Sequence, residues 1–141
     1  MRKPNGAAFL PGRVVVSLKN SRNLLVLRQA RSRGFIVEAY IDTPTPGRRF
    51  GRLGNIAAVG SQIFVCDEEQ SVIWQLNPDL SLVRTITGID SGVGKFAPFS
   101  CCEADGLLAV CGGRNIQLFD LDAGQLLHCS DSFGELHGVC Y

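Results

Sequence analysis

Side chains able to do chemistry are few in this chain, and their spacing argues against most reactions. His128 and His137 are the only histidines, and neither stands in a motif beside a serine or cysteine nucleophile. No G-x-S-x-G elbow occurs. The run Gly92-Val93-Gly94-Lys95 ends like a phosphate loop, but such a loop needs G-x-x-x-x-G-K followed by Ser or Thr to hold magnesium. Here Ile89 fills the first glycine slot and Phe96 follows Lys95, so the segment reads as a loop between repeats. Asp67-Glu68-Glu69 lacks the spacing of a calcium loop and is expected to be three solvated acids in a hairpin turn. The six cysteines, Cys66, Cys101, Cys102, Cys111, Cys129 and Cys140, are irregularly spaced and include no C-x-x-C. The pairs His128 with Cys129 and His137 with Cys140 come nearest to zinc ligands and match no known ligand spacing. The expectation is therefore no catalytic residue, no metal and no cofactor. The thiols are expected to be reduced, buried small hydrophobes of a cytoplasmic protein.

Charge is the more informative signal. The net charge is only +1, but residues 1–53 carry eleven Lys or Arg against Glu38 and Asp42, a net of +9. Residues 54–141 carry Arg84, Lys95 and Arg114 against eleven acids, a net of −8. Such asymmetry points to an electrostatic partner surface. Arg22, Arg28, Arg31, Arg33, Arg48, Arg49 and Arg52 fall in expected loops and are the candidate residues for binding a protein partner or RNA phosphates. Phe35, Tyr40 and Phe50 are the only aromatics near them, and no RNA-binding motif is present, so a protein partner is favoured over RNA. Alternatively, the basic and acidic halves face each other, within one ring or between two copies.

The elements that would position these residues are short strands. With 45% hydrophobic and 19% charged residues, the chain is too apolar for disorder, and its sixteen glycines and six prolines make turns frequent. Apolar runs such as Val14-Val15-Val16 fall far short of the roughly 20 residues needed to cross a bilayer, so no membrane segment is expected. The basic N-terminal stretch holds Pro4, Gly6, Pro11, Gly12 and a β-branched run, which is poor material for the amphipathic helix of a presequence.

Internal periodicity then organises the chain. In residues 55–87, Asn55–Val59, Gln62–Cys66, Ser71–Leu76 and Leu82–Ile86 read as four short antiparallel strands joined by tight turns. Four such strands make one propeller blade. The same order runs through residues 5–40 and again through residues 99–129. Taking Val15, Phe64 and Ala109 as equivalent gives spacings of 49 and 45 residues, within the roughly 40–50 of propeller repeats. The expected units are residues 3–50, 51–97 and 98–136 of a single domain, with a fourth opening at 137–141.

The second unit resembles an NHL-type propeller repeat: Val65-Cys66-Asp67 closes one strand, a polar turn follows, and the next strand carries Trp74. The segments Gly47–Gly51 and Gly94–Pro98 resemble that family's G-x-F-x-x-P linker. The third unit is similar to a WD40 repeat, with Phe119-Asp120 where that family often has Trp-Asp, although Gly134-Glu135-Leu136 lacks its Gly-His. The resemblance implies an all-β partial propeller of about three four-stranded antiparallel blades, acting as a protein-interaction scaffold. RNA binding through the basic loops is the alternative, as in some NHL proteins. A closed propeller takes four to eight blades, because each blade buries its faces only against neighbours. Three blades are thus expected to belong to a longer propeller or to complete a ring with another copy, unless the strands form a small barrel or sandwich. Trp74 is expected to pack between blades.

Overall fold

The computed structural model describes residues 2–89, 95–130, 136, 138 and 139. They form twelve strands and no helix, in three four-stranded antiparallel sheets. The first sheet holds β1 (Pro4–Leu10), β2 (Arg13–Leu18), β3 (Asn23–Gln29) and β4 (Phe35–Ile41). The second holds β5 (Leu53–Val59), β6 (Gln62–Asp67), β7 (Val72–Leu76) and β8 (Leu82–Ile86). The third holds β9 (Ser100–Ala104), β10 (Leu107–Gly112), β11 (Asn115–Asp120) and β12 (Gln125–Ser130). Each sheet is a plain meander in chain order. Tight turns make this local pairing possible. At Asp105-Gly106 both residues take left-handed φ, 52° and 80°, the combination whose twist suits a two-residue hairpin.

Register decides which residues form the core. Directly opposed residues share a face, so Ala8, Val15, Val26 and Ala39 form one row across the first sheet. That row packs on Ile56, Ile63, Val65, Trp74 and Leu76 of the second sheet. The other face of the second sheet, with Phe64, Cys66 and Ile73, packs on Cys101, Leu108, Val110 and Phe119 of the third. The second sheet is therefore covered on both faces, which is why every residue of β7 is buried.

The innermost strands lie side by side, β1 next to β5 and β5 next to β9, and polar contacts stitch them together. Ser17 Oγ donates to the Gly54 carbonyl at 2.7 Å, and Asn5 Nδ2 donates to the Leu53 carbonyl at 3.3 Å. One step on, the Asn55 amide donates to the Phe99 carbonyl at 2.6 Å, and its Nδ2 reaches Ser100 Oγ at 3.3 Å. Gly54 is required for this approach: a Cβ there would stand 2.5 Å from the Phe99 carbonyl oxygen.

The turns gather at two ends. One, the near end, carries Pro11-Gly12, residues 30–34, Gly60-Ser61, residues 77–81, Asp105-Gly106 and residues 121–124. The far end carries residues 19–22, 42–52, 68–71 and 113–114. The strand expected at 137–141 falls largely outside the described residues. Val139 is described, and it lines a cleft with Ala8, Ala57 and Cys101 of the innermost strands.

Candidate interaction surface

The seam between the first two sheets is built at the far end around Asp67. This residue ends β6 in register with Val72 and Leu53, and it is fully buried. Its Oδ2 accepts from the Gly51 amide at 2.7 Å and from Trp74 Nε1 at 2.9 Å, while Oδ1 accepts from the Gln70 amide at 3.0 Å. Three donors replace the water that a buried carboxylate loses. The expectation of three solvated acids thus fails at Asp67, because the hairpin begins one residue later and the linker's Gly51 closes over it, and at Glu68, whose side chain is only 11% exposed; it holds at Glu69. Trp74 packs between the sheets as expected, edge-on to Phe50 with ring centroids 5.7 Å apart.

Around this latch the basic loops of the first half meet the acids of the second. Glu68 Oε2 pairs with Arg52 at 2.9 Å, and Glu68 Oε1 has the Lys19 ammonium at 3.3 Å, although no hydrogen bond reaches that oxygen. Arg22 pairs with Glu69 at 3.0 Å. The Arg48 guanidinium lies 4.6 Å from the Trp74 ring centroid, a cation–π contact. The Arg49 carbonyl accepts from the Gln70 side-chain amide. Four of the seven candidate arginines, Arg22, Arg48, Arg49 and Arg52, therefore sit along one seam inside the chain. The Arg22–Glu69 pair, with side chains 61% and 45% exposed, is screened by solvent, whereas Glu68 beneath Arg52 is only 11% exposed.

The other three lie at the near end. Arg28 is in β3 close to its end, and Arg31 and Arg33 are in the loop that follows it. A shallow groove runs along Pro11, Gly12, Arg13, Arg28, Ala30 and Arg31. Glu38 holds Arg13 at 2.8 Å, but no acid among the described residues lies within ion-pair reach of Arg28, Arg31 or Arg33. The seven residues thus form two surfaces at opposite ends.

A further surface is one of the faces that three blades are expected to leave open, though the sequence did not say which residues line it. The second face of the first sheet carries Ala7, Phe9, Val16, Leu25, Leu27, Val37 and Tyr40, by the rows that pair them. No sheet among the described residues covers it. Phe9 is 74% exposed, Val37 56% and Tyr40 46%. The Arg2 guanidinium stacks 4.1 Å from the Tyr40 ring centroid and places a cation on this face. The signal was present in β4, where Phe35-Ile36-Val37 is apolar on both faces although the strand is outermost. The second face of the third sheet carries Cys102, Leu107, Ala109, Leu118 and Asp120, with Leu107 38% exposed at the near end and Cys111 buried toward the far end.

Thiol chemistry is suppressed where it is best described. The Cys66 thiol is pushed well above its ordinary 9.0, first by its hydrogen bond with Cys101 and then by burial. Burial likewise raises the thiol of Cys111. Both residues, with Cys101, Cys102 and Cys129, are free of disulfides. Among the described residues no three of His, Cys, Asp and Glu are placed to hold a metal ion, and no helix is long and apolar enough to cross a membrane.

No protein-family model and no curated protein matches the chain. Solved structures do. Hydrazine synthase of Kuenenia stuttgartiensis superimposes with a TM-score of 0.70 at 15% identity, covering 96% of this chain and 38% of that one. A chain of the mitotic checkpoint complex superimposes with a TM-score of 0.68 at 12% identity, covering 94% and 39%. The chain therefore spans less than two fifths of the length of either, and identities this low speak for fold alone. Both neighbours contain propellers, and the three meandering sheets, stitched along β1, β5 and β9 and packed face to face, are blades of a partial β-propeller.

Proposed function

We propose that this chain is a non-catalytic, cytoplasmic protein-interaction scaffold of β-propeller type, NHL-like in its second repeat and WD40-like in its third. The observation that carries the reading is the apolar face of the first sheet that no sheet covers among the described residues, which carries Phe9, Val37 and Tyr40 and is bordered at the near end by Arg31 and Arg33, neither of them in an ion pair among those residues. Large contiguous apolar patches rimmed by charge are where soluble proteins meet partners. Phe9 is the most exposed of the large apolar side chains on this face, at 74%. The raised thiols of Cys66 and Cys111 are not activated as nucleophiles. The mitotic checkpoint complex is, as its name says, an assembly, which accords with this reading.

RNA binding is the second reading, favoured by the three near-end arginines that pair with no acid among the described residues. A photo-reactive benzoyl-phenylalanine at position 9, and another at position 31, separates the two in intact cells. Protease-sensitive, nuclease-resistant adducts at both positions are expected. Nuclease-sensitive adducts at position 31 with none at position 9 would replace the scaffold reading by the RNA one.

A further inference from the structure

Resting on the scaffold reading, we infer that the near end of the seam between the first two sheets receives an acidic peptide segment of a protein partner, with an aliphatic side chain in an apolar slot and carboxylates on Arg28 and Arg31. Both sheets that build this site are described, so it does not depend on how many blades flank them. Register places its charges. Leu10, Arg13 and Arg28 are directly opposed in one row across β1, β2 and β3. Each stands two residues from Ala8, Val15 or Val26, and so on the same face, the one turned to the second sheet. That face therefore ends in one buried leucine and two arginines. Like charges directly opposed on a sheet cost stability. Glu38 neutralises Arg13, accepting from its guanidinium at 2.8 Å. Arg28 is exposed and makes no ion pair among the described residues, so an anion from outside would relieve the repulsion.

Two hollows meet at this row. The slot, of about 270 Å³, is lined by Leu10, Pro11 and Arg13 of the first sheet and by Ser61 and Pro78 in near-end turns of the second. The groove runs from Pro11 and Gly12 past Arg28 to Arg31. Pro11 and Arg13 line both, so slot and groove are continuous. Backbone bonds hold the groove in shape: the Gln29 amide donates to the Gly12 carbonyl at 2.8 Å, and the Ala30 amide donates to the Gly34 carbonyl at 3.0 Å. Asp79, the acid beside Pro78, is engaged in its own turn, where it accepts from the Ser81 amide and hydroxyl. Apolar slot and guanidinium groups together select the ligand. Arginine takes a carboxylate through two parallel N–H···O bonds, and burial drives an aliphatic side chain into the slot. No aromatic among the described residues lines either hollow, so a nucleic-acid base finds no stacking platform, which favours protein over RNA.

The test is a selection of random peptides displayed on phage against the whole chain. Enriched peptides should combine one aliphatic residue with two or more Asp or Glu close by. A fluorescein-labelled copy of the strongest should bind about tenfold more weakly to Arg28→Glu with Arg31→Glu, and the difference should shrink as salt rises. Ser61→Phe, which fills the slot from an exposed turn, should also weaken binding about tenfold, without that dependence on salt. All three positions are exposed, so circular dichroism and Trp74 fluorescence of the variants should match wild type. A selection that yields no binders overturns the proposal, as do binders without acids and binders indifferent to both variants. A single-stranded RNA oligomer that binds through Arg28 and Arg31 where acidic peptides do not overturns it in favour of nucleic acid. Adducts at position 9 decide the scaffold reading separately. Protein adducts there without peptide binding keep the scaffold and remove this site, and peptide binding without such adducts keeps this site and removes the open face as the carrier of that reading.

Discussion

Replacing Asp67 by alanine should be among the most damaging single changes in this chain. The residue is fully buried and serves three donors. Of these, Gln70 is exposed, and its amide can turn to water. The Gly51 amide and Trp74 Nε1 are enclosed and would be left without an acceptor. An orphaned buried donor costs about 1–3 kcal/mol, so two of them, with the small void, give about 3–5 kcal/mol. That is a large share of the roughly 5–15 kcal/mol of a typical domain, and corresponds to a melting temperature lower by about 10–15 °C. Asp67→Asn should cost less, about 1–2 kcal/mol, since its carbonyl can still accept from Gly51 and Trp74 while its amide faces the Gln70 N–H. Trp74 is the sole tryptophan, so its fluorescence during urea unfolding reads the very seam being cut. An alanine variant within about 1 kcal/mol of wild type would refute the reasoning. So would an asparagine variant as damaged as alanine, because charge rather than donor satisfaction would then decide the outcome.

Other outcomes follow from the same geometry. Gly54→Ala forces a Cβ to 2.5 Å from the Phe99 carbonyl oxygen and should cost about 2–3 kcal/mol in chemical denaturation, by prising β5 from β9. Arg22→Ala removes an exposed ion pair and should change stability by less than about 1 kcal/mol, the difference vanishing in high salt. The thiols of Cys66 and Cys111 are raised in the folded chain, so the unfolded chain loses those protons first as pH climbs. Stability they confer is complete below the ordinary value of 9.0 and declines above it, toward the raised folded values, which denaturation at a series of alkaline pH values will show. In thiol titration of the native chain at neutral pH, these two should react far more slowly than partly exposed Cys102 and Cys129.

Fold class was legible because strand pairing here is local. Apolar runs such as Gln62–Cys66, short polar turns and a spacing of nearly fifty residues define each meander without any long-range information, and the three four-stranded sheets follow from them. Trp74 could be placed between blades for the same reason. The candidate arginines were legible as a group but not as sites. A sequence shows that Arg22 and Arg31 both occupy turns, yet successive turns of a meander fall at opposite ends, and only the assembled sheets separate the paired far-end set from the unpaired near-end set.

Asp67 shows the boundary most clearly. Its neighbours Glu68 and Glu69 pair with the basic loops, and nothing in the triplet marks the first acid as different. Its burial depends on Gly51, sixteen residues earlier, folding over the end of β6. By itself the sequence determined the strands, the meanders and the division of charge, because each is a property of neighbouring residues. Only the tertiary structure decided which charges are spent inside the chain and which apolar face remains open, because both depend on how one sheet stacks upon the next.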